Sequence, residues 1–156
     1  MAISFIRVDD RLLHGQVVTR WVREKKCDGI FVVDDESAQD KVLSMVLKTA
    51  APMGIKVGVF TVDEALPKLK RALEVSKSYF LIVKSPVTLL RIVESGINLP
   101  KSINVGPMST RPGTVTIGAN AAVTEEEKKA FDRLSECGYD IVFQLVPGEK
   151  FFTWDS

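Results

Sequence analysis

Short apolar runs and helical periods alternate along the whole chain. Ile3-Ser4-Phe5-Ile6-Arg7-Val8 reads as a strand. A helix is expected from about Gly15 to Glu24, with Val17, Val18, Trp21 and Val22 spaced as an inward face. Gly29-Ile30-Phe31-Val32-Val33 is a continuous apolar run, as suits a strand buried on both faces of a parallel sheet. The next helix is predicted over about Gln39 to Ala51, with Val42, Leu43, Val46, Leu47 and Ala50 on its inward face. Ile55 to Phe60 reads as a third strand. Thr61 and Glu64 then have the spacing of a capping box, while Pro67 predicts a kink or a later start for the helix that follows.

The second half continues the rhythm and then breaks it. Tyr79 to Val83 reads as a strand, and Ser85-Pro86 opens a helix with serine as cap and proline at the first position. Gly96 closes that helix, and Ser102 to Val105 is a short fifth strand. From Gly106 to Asn120 no helical period is visible, although Thr114-Val115-Thr116-Ile117 alternates as a hairpin arm or edge strand does. Thr124 and Glu127 form a second capping box before a helix that runs to Cys137 and stops at Gly138. Ile141 to Val146 is the last strand.

Strands and helices alternating at this pace predict an α/β protein. The expected architecture is a three-layer α/β/α open sheet, mainly parallel, of about six strands, with a short antiparallel edge strand or hairpin. With 156 residues and no repeat, linker or low-complexity stretch, residues 1–156 read as one domain. Composition narrows the partners. Lys and Arg total 21 against 20 acidic residues, a net charge of +1 that gives no support for nucleic acid or anionic lipid as the main partner. Cys27 and Cys137 fit no metal or redox spacing, and no signal-peptide pattern is visible, so reduced thiols in a soluble, cytoplasmic protein are expected. The longest apolar runs are too short to span a bilayer.

The candidate chemistry centres on the one histidine. His14 lies in Asp9-Asp10-Arg11-Leu12-Leu13-His14-Gly15-Gln16, at the carboxyl end of the first strand, where open α/β sheets gather their ligands. Imidazole is both a nucleophile and the side chain that titrates near neutrality. Asp10 is expected to hold one ring nitrogen and fix the tautomer, and Arg11 offers a planar fork matched to phosphate oxygens. The amides near Gly15 supply a partly positive cradle, and Gly15 leaves room for a partner's approach. The arrangement suits a phosphohistidine carrier. A plainer assignment makes Asp9 and Asp10 helix caps paired with Arg11, and assigns Asp9 in particular a structural role. Gln16 lines the site or starts the helix. Asp34 and Asp35 are strand-end residues or caps. Arg111, in the irregular stretch after the fifth strand, is a second phosphate or partner contact or a solvated loop arginine.

The run D-D-R-L-L-H-G-Q-V resembles the phosphorylation loop of the mannose/fructose/sorbose family of sugar phosphotransferase-system enzyme IIB components. The resemblance extends over essentially the whole chain. Supporting segments are V-V-D-D-E, T-A-A-P-M-G-I-K-V, K-S-P-V-T-L-L-R-I-V-E-S-G, I-N-V-G-P-M-S-T-R-P-G and V-F-Q-L-V-P. It implies that His14 takes a phosphoryl group on Nδ1 from a phosphohistidine of a IIA protein or domain. The group would pass to a sugar brought in by the membrane components IIC and IID, which would hold the carrier at the inner face of the membrane. Asp10 and Arg11 match loop residues that support the phosphohistidine, and no cofactor or metal is implied. Gly15, Gln16, Ser85 and Arg111 are the candidate substrate or partner contacts. Gly106-Pro107-Met108 stands where two glycines often precede the methionine, and Ser85 where asparagine is frequent, departures that would alter the rim of the site.

Three other classes compete on the residues alone. A receiver-like phospho-aspartate regulator would use Asp9-Asp10 but needs an aspartate at the end of the third strand, where Phe60-Thr61 stands. A nucleotide or flavin module would need a glycine-rich loop, and neither G-x-G-x-x-G nor G-x-x-x-x-G-K-[ST] occurs. A metal hydrolase using His14 with Asp9, Asp10 and Asp34 would have one histidine and an oxygen-dominated site. The sugar is not readable from the chain. Nor is the oligomeric state, for which a homodimer is one option.

Overall fold

The computed structural model of the chain describes residues 3–118 and 121–154. Six parallel strands form the sheet: β1 (Ile3–Val8), β2 (Gly29–Val33), β3 (Lys56–Phe60), β4 (Tyr79–Val83), β5 (Ser102–Val105) and, after a β-hairpin, β8 (Asp140–Phe143). Their order is β3-β2-β4-β1-β5-β8, and a two-residue strand β9 (Phe152–Thr153) closes the β8 edge antiparallel. The hairpin is β6 (Val115–Ile117) with β7 (Ala121–Val123), so the alternation at 114–117 marks a hairpin arm. Ala119 and Asn120, the end of the stretch without period, lie outside the described residues.

Helices α1 (Gly15–Glu24) and α3 (Lys41–Thr49) lie on one face of the sheet. Trp21, Val18 and Leu47 pack there on Phe5, Ile30, Val32, Phe80 and Ile82. Helices α4 (Val62–Ala72), α5 (Pro86–Glu94) and α6 (Glu125–Glu136) cover the other, around Leu69, Leu89, Ile92, Phe131 and Leu134. The expected three layers are present.

Several expected boundaries change for identifiable reasons. Asp34 caps a short helix α2 (Asp35–Gln39) by accepting from the Ser37 amide, and Asp40 caps α3 by accepting from Val42 and Leu43. The helix predicted over 39–51 is therefore preceded by a separate turn. Its face also differs: Leu47 is buried, but Val42, Leu43 and Val46 are exposed, because α3 rests on the sheet by a narrow stripe. Pro67 lies inside α4 without delaying its start, which both halves of the Thr61–Glu64 capping box fix at Val62. The last strand ends at Phe143: the Gln144 amide still donates to the Val105 carbonyl at 3.0 Å, but the Leu145 carbonyl leaves the ladder and accepts from Trp21 Nε1 at 3.1 Å.

Strand β1 lies between β4 and β5. The chain leaves β1 through α1 on one face of the sheet and leaves β5 through the hairpin and α6 on the other. A crevice opens at the carboxyl ends of adjacent strands whose connections part in this way. Asp9 to His14 follow β1 there, and Gly106 to Ser109 follow β5.

Candidate functional site

Period-two alternation in β1 sends Phe5, Arg7 and Asp9 to the α1 side and Ile6 and Val8 to the opposite core. The chain then turns sharply: the Leu12 amide donates to the Asp9 carbonyl at 2.9 Å, and the Arg11 amide donates to Asp9 Oδ1 at 2.9 Å. Leu12 takes φ of 56°, an uncommon conformation for a side chain of its size, and such strain persists where surrounding packing enforces it. Burial of Leu12 and Leu13 beneath α1 supplies that packing. His14 follows as the residue that begins α1.

Asp9 is fully buried. Its Oδ2 accepts from His14 Nε2 at 3.1 Å and from Arg7 Nε at 3.1 Å. A carboxylate only accepts, so Nε2 carries a proton, and in the neutral ring the lone pair is on Nδ1. The His14 side chain is 23% exposed, enough for a partner to reach the ring. Arg7 is buried beside Asp9, with Nη1 donating to Asn104 Oδ1 and to the Gln144 carbonyl. Burial pulls the Arg7 guanidinium pKa down, and the charge and hydrogen bond of Asp9 oppose that pull. Gly106 is required by this packing: a Cβ there would lie 2.3 Å from Arg7 Nη2 and 3.0 Å from Asp9 Oδ2.

The helix start beside His14 is also distinctive. Among the described residues, α1 alone begins without a side-chain cap, and its first turn holds no acidic residue. First-turn amides left in this state attract anions. Arg11 is exposed, and its guanidinium has no hydrogen-bond or ion-pair partner among the described residues.

The role expected of Asp10 thus falls to Asp9. The turn buries Asp9 against the imidazole and aims Asp10 at the neighbouring loop. Asp10 Oδ2 accepts from the Ser109 amide at 2.6 Å, and its own amide donates to the Pro107 carbonyl at 3.3 Å. Asp10 Oδ1 is buried without a hydrogen-bond partner among the described residues. Two signals in the sequence pointed to Asp9. It shares β1's alternation with Arg7, and an arginine two residues away on a buried face requires a carboxylate. Gly106 and Asn104 carried no comparable signal, since their places beside Arg7 arise from strand pairing.

Other candidates fall elsewhere. Gly15 and Gln16 are exposed at the start of α1. Ser85 caps α5 through the Val87 amide and donates to Glu127 Oε2 at 3.3 Å. Arg111 Nη2 is tied to Glu127 Oε1 and donates to the Ala122 carbonyl. Glu127 therefore joins the serine, the arginine and its own capping box, and Arg111 does not extend toward His14. Asp34 is a cap. Asp35 accepts from the Val62 amide and pairs with Arg91, which holds its carboxyl below the ordinary range. Among the described residues, no group of three or more His, Cys, Asp or Glu side chains is placed to hold a metal ion. Past Gly106 lies a cavity of about 430 Å³ lined by Pro107, Phe143, Gln144, Phe151 and Phe152, on the far side from α3.

A family model described as "PTS system sorbose subfamily IIB component" matches residues 3–156. The chain is 34% identical over 146 residues to the mannose-specific EIIAB component of Escherichia coli K12, covering 94% of this chain and 45% of that protein. It therefore spans less than half the length of that relative. The fructose-specific EIIB component of Bacillus subtilis is 30% identical over 149 residues, covering 96% of this chain and 91% of the relative. The crystal structure of the IIBSor domain of the sorbose permease from Klebsiella pneumoniae superposes with a TM-score of 0.91 at 28% identity, covering 97% of this chain and 93% of that one.

Proposed function

The chain belongs to the sorbose subfamily of IIB components of the sugar phosphotransferase system, and from that membership we propose that His14 is its phosphoryl carrier. The donor is a IIA protein or domain bearing a phosphohistidine. The acceptor is a sugar held by membrane IIC and IID components at the inner face of the membrane. The observation that carries the reading is the bond from His14 Nε2 to the buried Asp9, which in the neutral ring puts the lone pair on Nδ1 at an uncapped helix start.

The chemistry follows from that geometry. The Nδ1 lone pair attacks the donor's phosphorus in line. As the new N–P bond forms, the donor's N–P bond breaks and its electron pair returns to the donor imidazole. His14 keeps its Nε2 proton, and Asp9 stabilises the positive charge that develops on the ring. Arg11, exposed in the same loop, and the first amides of α1 are suited to the transferring oxygens. In the second step a sugar hydroxyl attacks phosphorus, the electron pair returns to Nδ1, and the hydroxyl proton passes to a base on the acceptor side. Gly15 and Gln16 border the ring, where either partner approaches. Relatives at about equal identity are named for different sugars, which fits a carrier that leaves sugar choice to its membrane partners. No helix among the described residues is long and apolar enough to cross a membrane.

Incubation with phospho-IIA and a labelled phosphoryl source tests the reading. The wild-type chain takes up one acid-labile, base-stable phosphoryl group, and His14→Ala takes up none while keeping its circular dichroism. Full labelling of His14→Ala would overturn it.

A further inference from the structure

Arg7 is the second group that Asp9 holds. Its side chain is 3% exposed, and its Nε donates to the same Oδ2 that accepts from His14 Nε2, each at 3.1 Å. Residues from β5 and from the end of β8 fix the guanidinium. Nη1 donates to Asn104 Oδ1 and to the Gln144 carbonyl, and Asn104 Nδ2 donates to that carbonyl at 3.2 Å. Gly106 leaves the space that the fork occupies. Burying a paired cation adds little net stability, because desolvation offsets the attraction between the charges. The place of Arg7 points to a use beyond stability.

Few charges act on the Asp9–His14 pair. Among the described residues, Arg7 is the only ion-pair partner of Asp9 besides the imidazole itself. Asp9 Oδ1 accepts from the Arg11 amide, while the Arg11 side chain is exposed and the Asp10 carboxylate turns to Ser109. Asn104 and Gln144 bring no charge from β5 and β8. The remaining walls beside Arg7 and the ring are apolar, among them Phe5, Leu12, Val17, Trp21, Phe80 and Ile82. A carboxylate buried there without a cation is relieved by taking up a proton. With a neutral side chain at position 7, the Asp9–His14 pair would therefore gain one proton from solvent. That proton resides on the carboxyl, which then donates to Nε2, or on the ring as imidazolium. In both forms Nδ1 carries a hydrogen, and it has no lone pair with which to attack phosphorus.

We infer that Arg7 is a positioning residue for phosphoryl transfer: its buried positive charge keeps a second proton off the Asp9–His14 pair and so keeps the Nδ1 lone pair free. The inference rests on the carrier reading above, which gives Arg7 no part. Arg7 makes no hydrogen bond to the ring and acts through Asp9. Its charge is what the role requires, and the planar fork serves to hold that charge in place.

The test follows Nδ1 protonation and phosphoryl transfer against pH in wild type, Arg7→Met and Arg7→Lys, each verified as folded by thermal unfolding. Long-range proton–nitrogen correlation on the unphosphorylated ¹⁵N-labelled chain reads the ring, and single-turnover labelling from saturating phospho-IIA reads transfer. In Arg7→Met, the pH at which Nδ1 releases its hydrogen should lie about one unit or more above that of wild type. Transfer near neutral pH should be slower by about tenfold or more, and should recover toward the wild-type rate as pH rises. Arg7→Lys keeps the charge and should keep the wild-type profile. A folded Arg7→Met with the wild-type profile, or with transfer lowered equally at every pH, would overturn the inference and leave the carrier reading standing. If Arg7→Met does not fold, Arg7→Lys decides: the wild-type profile supports the role of the charge, and a profile displaced upward by a unit overturns it. Absence of labelling in the wild type would overturn both readings.

Discussion

Asp9 holds two groups through one oxygen, and its replacement should show both. Asp9→Asn leaves the Arg7 charge buried without its partner, a loss that costs about 3–5 kcal/mol. The amide also no longer imposes the Nε2–H tautomer, so transfer at His14 should slow even below the unfolding temperature. Urea titration and single-turnover labelling of the same sample separate the two effects. The two glycines of the site make opposite predictions. Gly106→Ala drives a methyl into Arg7 Nη2 and should cost about 1–3 kcal/mol by overpacking. Gly15→Ala meets only ordinary van der Waals contact, so its stability should be unchanged or slightly raised, and a loss of transfer there would come from the partner's approach. Arg11→Lys should slow transfer without lowering stability, because an ammonium lacks the planar fork. The histidine was legible as the centre of the site, because strand end, neighbouring charges and motif coincide on it. Between the adjacent aspartates, the alternation of β1 and the arginine at position 7 favour Asp9 as the buried one, but which of them meets the imidazole depends on how the turn at 9–12 rotates each side chain.

At the scale of elements, capping and alternation located most of the secondary structure. Thr61–Glu64, Ser85-Pro86 and Thr124–Glu127 mark the helix starts found in the structure. Helix α3 was less legible, since a helical period shows that an apolar face exists without showing what covers it. Strand β9 escaped because two residues carry no period; stacking of Phe152 on Phe143, with ring centroids 4.5 Å apart, holds it in place. Glu127 is the joint of the α5–α6 face, through its capping box, Arg111 and Ser85. Glu127→Ala should destabilise the chain by about 1–3 kcal/mol, as a partly buried arginine and a cap lose their partner. Arg111→Ala should act in the same direction. Neither should change the transfer rate at temperatures where the variant is folded. A rate loss in folded Arg111→Ala would return that residue to the phosphoryl site.

Across the whole molecule, pH dependence has two signs. Burial pushes the Cys27 thiol up to about 11 from an ordinary 9.0. The folded state then binds the proton more tightly than the unfolded chain, so stability should fall as pH rises from about 9 to 11. At pH 8 native Cys27 should carry about 100-fold less thiolate than the unfolded thiol and alkylate correspondingly slowly, with peptide mapping separating it from Cys137. Asp35 has the opposite sign: its lowered carboxyl contributes above the ordinary aspartate range and loses that contribution as pH falls through it. The exposed pair with Arg91 is screened by solvent, so the effect on acid stability is small. The α/β class and the parallel sheet were readable because each local signal agreed with the global one. The switch between β1 and β5 required the strand order, which sequence pattern alone does not contain. That switch brings Asp9, His14, Arg7 and Gly106 together, and the most direct test of its chemistry is regiochemical. Phosphorylation of the ¹⁵N-labelled chain by phospho-IIA, read by long-range proton–nitrogen correlation of the imidazole, should place the phosphoryl group on Nδ1 of His14 with Nε2 still protonated. A phosphoryl group on Nε2, or on any residue other than His14, would contradict the account.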